Sequence, residues 1–244
     1  MPDGRPTAAV YVDGFNLYRR LLADRPSLKW LDVAALCDLL LPSFEVVRVR
    51  YFTAFIRTTA GTDPRSPVRQ QAYVRALRNS PRVSVHLGTF RVDKRTMPVH
   101  PVRLDADGAL VKVNVRKTEE KGSDVNLAAH MLVDAFRGDS DVCFLLSNDS
   151  DLTEAFRLVR DEAGVEIGLI SPTDRPSASL LAVGPAHIRK IRRGALERSQ
   201  FPDTLRDSVG EVHRPEAWRE IAEAPSGEGA SRPEAEATGG VPPS

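Results

Sequence analysis

"VYVDGFNLYRR", residues 10–20, begins as an apolar strand and ends as a helix, with Asp13 and Asn16 at the changeover. An apolar strand without polar alternation is one buried on both faces, which is the habit of parallel sheets. In open parallel sheets, ligands bind beyond the carboxyl ends of the strands, so an acid at such an end is placed where chemistry happens. The question is whether the rest of the chain supplies the same sheet and further acids at the same edge.

It supplies both. Strand-like runs recur at 45–55 (EVVRVRYFTAF), 82–92 (RVSVHLGTFRV), 141–147 (DVCFLLS) and 165–171 (VEIGLIS), with HIRKI (187–191) as a sixth. Helical patterns fall between them at 31–41, 67–79, 124–136 and 151–164, and the short GALERSQF follows the sixth strand. Such alternation predicts an α/β fold of three layers, helices on both sides of a mostly parallel sheet. One stretch, VRLDADGALVKVNV (102–115), carries an Asp-Gly turn between two strand-like arms and predicts a β-hairpin insertion at about 98–116.

Composition bounds the function. A chain of 244 residues that is 41% hydrophobic can bury one sizeable core. No apolar run approaches the roughly 18 residues of a membrane span, and MPDGRPTAAV lacks the order of a signal peptide, so a cytoplasmic setting is the expectation. Cys37 and Cys143, each set among Leu, Val and Phe, read as buried reduced thiols. From Asp203 onward, nine acids face four arginines, a net of −5, which leaves +6 for residues 1–202 out of the total of +1. The expected division is therefore a mildly basic domain at 1–202 and an acidic Pro/Gly-rich tail at 203–244. The last 25 or so residues of that tail are expected to be disordered, after a short helix in PEAWREIAEA.

Three segments bring acids to the sheet edge: Asp13 after the first strand, Asp149 and Asp151 in SNDSDL after the fourth, and Asp124 in the first turn of the helix opened by KGSDVN. Each has an ordinary alternative as a helix cap or turn former, Ser150 or Asp151 for the one helix and Ser123 for the other. Together they are harder to explain so. Converging carboxylates repel one another unless a hard cation sits among them, and an all-oxygen set suits Mg²⁺ or Mn²⁺. The five histidines are scattered, with His130 turned about 240° from Asp124 around their helix. No Gly-rich phosphate loop, Gly-x-Ser-x-Gly elbow or His-Glu-x-x-His motif is present.

YVDGFNLY (11–18), TEEKGSDVNLAAHMLVDAF (118–136) and LLSNDSDL (145–152), in that order, resemble the three signature blocks of the NYN domain, a branch of the PIN-like nucleases. The resemblance spans approximately residues 8–200. It implies a PIN-like fold and a metal-dependent ribonuclease, with Asp13, Asp124, Asp149 and Asp151 as catalytic metal ligands. It further implies that Asn16, Lys121, Ser147 and Asn148 contact substrate, while Glu154, a turn into its helix, is a weaker candidate for the acid group. The expected cofactor is Mg²⁺ or Mn²⁺ and the expected partner single-stranded RNA; a homodimer is compatible with this reading, and no membrane partner is expected.

Phosphate contacts would fall to Arg65 and Arg69, to Arg91, Lys94 and Arg95, or to the RKIRR stretch with Arg192 and Arg193, each of which reads equally as a solvated face. Phe15, Tyr18 and Phe90 are candidates for stacking on bases, though single aromatics near strand ends more often belong to a core. Two rival functions fit the residues less well. A non-catalytic RNA-binding or partner-recruiting module would be expected to lose acids, yet all four matched positions are Asp. A haloacid dehalogenase-type phosphatase needs a second acid two positions after the first, where this chain has Phe15.

Overall fold

β-Strand burial alternates between two cores, and that alternation builds the molecule. The computed structural model describes residues 4–56 and 63–219. The first half runs β1 (Thr7–Asp13), α1 (Gly14–Leu17), α2 (Val33–Leu40), β2 (Glu45–Thr53), α3 (Ser66–Leu77), β3 (Val83–Leu87), β4 (Thr89–Pro98) and β5 (Lys112–Lys121). It continues α4 (Ser123–Arg137), β6 (Val142–Leu146), α5 (Thr153–Asp161), β7 (Glu166–Ser171), α6 (Ala178–Ala182) and β8 (His187–Lys190). The described chain closes with α7 (Arg193–Arg198), β9 (Thr204–Asp207) and β10 (Gly210–His213).

The main sheet has six strands in the order β3-β2-β1-β6-β7-β8, and every pairing in it is parallel. Along β1, Ala8, Val10 and Val12 pack into one core while Ala9 and Tyr11 pack into the other. In β6, Val142, Phe144 and Leu146 face the first core and Cys143 and Leu145 the second. A period of two on a strand with both faces covered explains why these runs carry no polar alternation. The three-layer α/β architecture is as expected. From β1 the order runs outward to β2 and β3 on one side and from β6 to β7 and β8 on the other, so the β1–β6 boundary is the point where the topology switches direction.

Three details differ from the expectation. RVSVHLGTFRV is two strands: β3 belongs to the main sheet, and β4 leaves it to pair antiparallel with β5. Gly88 is the corner, where an added Cβ would lie 2.4 Å from Glu120 Oε1 and 2.7 Å from the Lys121 carbonyl. Only a residue without a side chain admits the end of β5 and the Ser123 hydroxyl at the start of α4 so close. The hairpin is therefore longer than 98–116, with ten-residue arms at β4 and β5 and an Asp105–Gly108 turn at its tip. The third difference is the boundary at 202. β9 and β10 form a hairpin, Arg75 holds Asp207 through two bonds of 2.6 Å, and Trp218 lies with its ring 6.3 Å from Trp30. Residues 203–219 are thus packed, because Trp218 and Val212 bring apolar surface that composition averaged over the whole tail conceals. The tail from residue 220, and the remainder of the helix expected in PEAWREIAEA, lie outside the described residues.

Cys37 and Cys143 are buried and unpaired. Among the described residues no helix is long and apolar enough to cross a membrane.

Candidate metal centre

The site is assembled at the switch point. Asp13 ends β1, is 5% exposed, and caps α1 by accepting the Asn16 backbone N–H at 2.9 Å. Its other oxygen accepts from the fully buried Ser147 hydroxyl at 2.9 Å, just beyond β6. The same hydroxyl accepts the Asp149 N–H at 3.1 Å. Asp149 in turn caps the short 3-10 turn Ser150–Leu152 by accepting the Asp151 N–H at 3.0 Å. Caps and site are the same residues. The ordinary reading of Asp13 and Asp149 as turn formers is correct, and each still presents oxygen to the neighbouring strand end.

Asp124 arrives from the other side. Gly122 adopts φ +96 before α4, a left-handed conformation that glycine takes without steric cost. Glu120 accepts from both the backbone N–H and the hydroxyl of Ser123, at 3.0 and 2.7 Å, which fixes the first turn. Ser123 is therefore inside the helix rather than its cap. One oxygen each of Asp13, Asp124 and Asp149 lie within 4.8 Å of one another. The electrostatics agree with the crowding. Burial first, then Asp13, Asp149, Glu120 and Asp151, push the Asp124 carboxyl up to about 6. Burial likewise raises Asp13, against the opposing bonds from Asn16 and Ser147.

The other expected site residues separate into groups. Asp151 is exposed and outside the triad, acting on it through its backbone N–H and its charge. Asn16 uses its side-chain oxygen to accept the Asn148 N–H at 3.2 Å. Asn148 turns to the loop after β7, where its Oδ1 accepts the Ser177 N–H at 2.6 Å. Ser147 and Asn148 thus hold protein to protein. Lys121 is exposed and lies 3.1 Å from Glu119. Glu154 faces outward and pairs with Arg157 at 2.8 Å.

Arg192 and Arg193 follow β8, at the far edge of the sheet, about three strand spacings or ~14 Å from β1, and Arg193 is bonded to Glu197. The fold does not bring them to the acids. Arg91 and Arg95 both sit by Asp93, and Arg69 pairs with Asp63.

Residues the sequence reading passed over are Glu120, which shapes the Asp124 turn, and Asp134. Asp134, ten residues further along α4, is 1% exposed and is bound by Arg50 through two bonds of 2.6 and 2.8 Å and by Tyr11 at 2.9 Å. Arg50 and Tyr11 stand in strands distant in sequence, so no local pattern marks the partnership. His86 and His130 pack in a tilted pair, ring centroids 4.1 Å apart, and take no part in the acid group.

Comparison with known proteins gives the fold and the family. A solved structure, a protein of unknown function from Vibrio parahaemolyticus, shares the fold at a TM-score of 0.50 and 16% identity, over 79% of this chain and 97% of that one. A curated relative from Pseudomonas putida, named 6-hydroxy-3-succinoylpyridine 3-monooxygenase HspA, is 30% identical over 86% of this chain and 74% of its own length. Residues 7–189 match the model of the NYN domain, a stretch that contains all three aspartates of the triad, and the chain belongs to the NYN domain family.

Proposed function

We propose that the protein is a metal-dependent ribonuclease that hydrolyses phosphodiester bonds of single-stranded RNA, with Mg²⁺ or Mn²⁺ held by Asp13, Asp124 and Asp149. The observation that carries the reading is the meeting of those three carboxylates, from three separate segments, within 4.8 Å at the switch point of the sheet. The donor set fits the cation: it is all oxygen, it is formally trianionic when ionised, and among the described residues no Lys or Arg forms an ion pair with any of the three. Bound there, such a cation supplies an activated water and stabilises the oxygen that leaves phosphorus.

The chain's own residues do the positioning. Ser147 fixes the rotamer of Asp13 and ties it to the Asp149 backbone, so two ligands move as a unit. Asn16 is oriented by the Asn148 N–H, and its amide nitrogen, with no partner among the described residues, is left to donate to a phosphate oxygen. Asp151 adds negative charge beside Asp124 and helps attract the cation. Residues 1–202 carry the net positive charge suited to an RNA partner. A cytoplasmic setting agrees with the substrate and with the absence of a membrane-length helix among the described residues.

The test is cleavage of matched RNA and DNA oligonucleotides with Mg²⁺, with Mn²⁺ and with chelator. RNA cleavage that requires the cation and disappears in Asp149→Asn is expected. Cleavage unchanged in that variant would remove the assignment. The 30% identity to the Pseudomonas protein favours one second reading, oxygenation of a pyridine ring. That chemistry consumes a reductant and O₂, and this chain has no Gly-x-Gly-x-x-Gly dinucleotide fingerprint. Coupled NADH oxidation and O₂ uptake with a hydroxypyridine acid, in place of RNA cleavage, would select it. Cation-independent RNA binding with neither reaction would select the non-catalytic module.

A further inference from the structure

Immediately after Asp13 the chain enters the wall of a second feature. Gly14 and Phe15 line a cleft of about 360 Å³ whose other walls come from α3, the end of β2 and the base of the β4–β5 arm. Six aromatic rings face it: Phe15, Tyr18, Tyr51, Tyr73, Phe90 and Trp218. Tyr51, Tyr73 and Trp218 are buried, and Tyr18 is 41% exposed, so the cleft has a packed floor and an open aromatic rim. Phe90 meets Phe15 edge to face at 5.8 Å.

Two cations stand at the rim. Arg19 lies 5.9 Å from the Phe15 ring centre and Lys29 5.3 Å from that of Tyr18, and neither has an ion-pair partner among the described residues. The Tyr51 hydroxyl has no hydrogen-bond partner among them either, and Asp13 acts on it electrostatically. The cleft is thus contiguous with the acidic triad through Asp13, Gly14 and Tyr51.

We propose that this cleft receives one unstacked nucleobase of the RNA strand, next to the phosphate held at the triad. The inference rests on the ribonuclease reading and names the part of the substrate that reading leaves open. Aromatic walls suit any base, because every base has a π-face, and the Tyr51 hydroxyl supplies a hydrogen bond to an edge. Arg19 and Lys29 are placed for the flanking phosphates.

The arm indicates where the strand goes next. Its residues alternate in face: the side with Phe90 also carries Lys94 and, opposite it, Arg116, both exposed and without ion pairs among the described residues. On the other side Arg91, Arg95, Lys117 and Lys121 pair with Asp93 or Glu119. On the face turned from the cleft the four cations share two acids in ion pairs, whereas Lys94 and Arg116, on the face continuous with the cleft, have no ion-pair partner among the described residues.

The experiment measures binding of a short single-stranded RNA to the full-length Asp149→Asn protein, with one abasic position moved along the strand. One position is expected to weaken binding about 10-fold, as loss of a base stacked on aromatic side chains does. In Asp149→Asn combined with Tyr18→Ala and Phe90→Leu, affinity for intact RNA falls by a similar factor and the abasic penalty at that position vanishes, since both changes remove one interaction. Additive penalties, or no sensitive position, overturn the proposal while leaving the ribonuclease reading standing if the parent protein cuts RNA. Tyr18→Ala alone, at an exposed position, keeps the test open if the combined variant fails to fold. Lys94→Gln with Arg116→Gln is expected to flatten the plot of log affinity against log salt by about 1.4, two single-strand contacts, and an unchanged slope overturns the path along the arm. A free aromatic carboxylic acid that competes with RNA for the cleft, with no abasic sensitivity in RNA, identifies a small-molecule site instead.

Discussion

Asp124 and Asp134 stand on the same helix and live in opposite environments. Asp134 is sealed under β1 and β2; burial pushes its carboxyl up, but the bonds from Arg50 and Tyr11 and the charges of Arg50 and Arg48 outweigh it and hold the group below the usual carboxylate range. Asp124 meets burial and four further acids with no cation among the described residues to offset them, and is held up to about 6. One carboxylate is matched by the fold and one is left unmatched by it. A charge matched inside the chain joins α4 to the sheet; charges left unmatched at a strand end stay available to something that is not part of the chain.

That contrast can be broken by experiment. The largest effect is expected for Asp149→Asn on metal-dependent RNA cleavage, a loss beyond the roughly 100-fold that removing an outer-shell partner costs. Its unfolding temperature without metal should stay level or rise, because one of three crowded acids is gone. A cleavage defect accompanied by severe unfolding would mean that the triad is structural.

Asp134→Asn should do the reverse. Breaking a buried ion pair leaves Arg50 uncompensated and costs about 3–5 kcal/mol, read by denaturant unfolding, while turnover per folded molecule changes little. Loss of turnover in protein shown to be folded would tie Asp134 to the site after all.

The pH dependence of the metal-free protein sharpens the comparison further. The folded carboxyl of Asp134 is depressed, so its stabilisation is present above the unfolded value of about 3.9 and is lost as pH falls through the lower folded value. Asp124 is raised to about 6. The folded state there binds the proton more tightly than the unfolded state, so stability falls as pH rises from about 4 to about 6. Asp124→Asn should remove that second decline and leave the acid limb in place. Mn²⁺ at about 100 times its dissociation constant should restore roughly 2.7 kcal/mol above pH 6 in the parent and much less in the variant. The smallest effect is expected for Asp151→Asn, a cleavage loss of less than about 10-fold, since its carboxylate is exposed and outside the triad.

Much of this was legible in the order of residues, and the reasons differ from element to element. β1, β6 and β7 are apolar on both faces, so their burial in a parallel sheet could be read directly. Asp13 and Asp149 could be read because each immediately follows such a strand. Asp124 could be read only together with the other acids and the family resemblance, since a first-turn acid taken alone is indistinguishable from a favourable charge at a helix start. The split at Gly88 was concealed because RVSVHLGTFRV keeps β-propensity across the corner, and only the approach of Glu120 and α4 shows why the chain must turn there. Phe15, Tyr18 and Phe90 looked like isolated aromatics; they share a wall because the arm returns to α1 over some 75 residues of intervening chain.

By itself, then, the sequence determined the layers, the family and the acids at the strand ends, because these are set by local periodicity and by residues adjacent in the chain. Which acids meet was decided by tertiary structure. Strand order places β1 beside β6 and sends β8, with Arg192 and Arg193, to the far edge, and no local pattern encodes that order. The same holds for Asp134, whose charge is neutralised by Arg50 84 residues away. Coulomb energies depend on distance and burial in space, and those are properties of the folded sheet rather than of spacing along the chain.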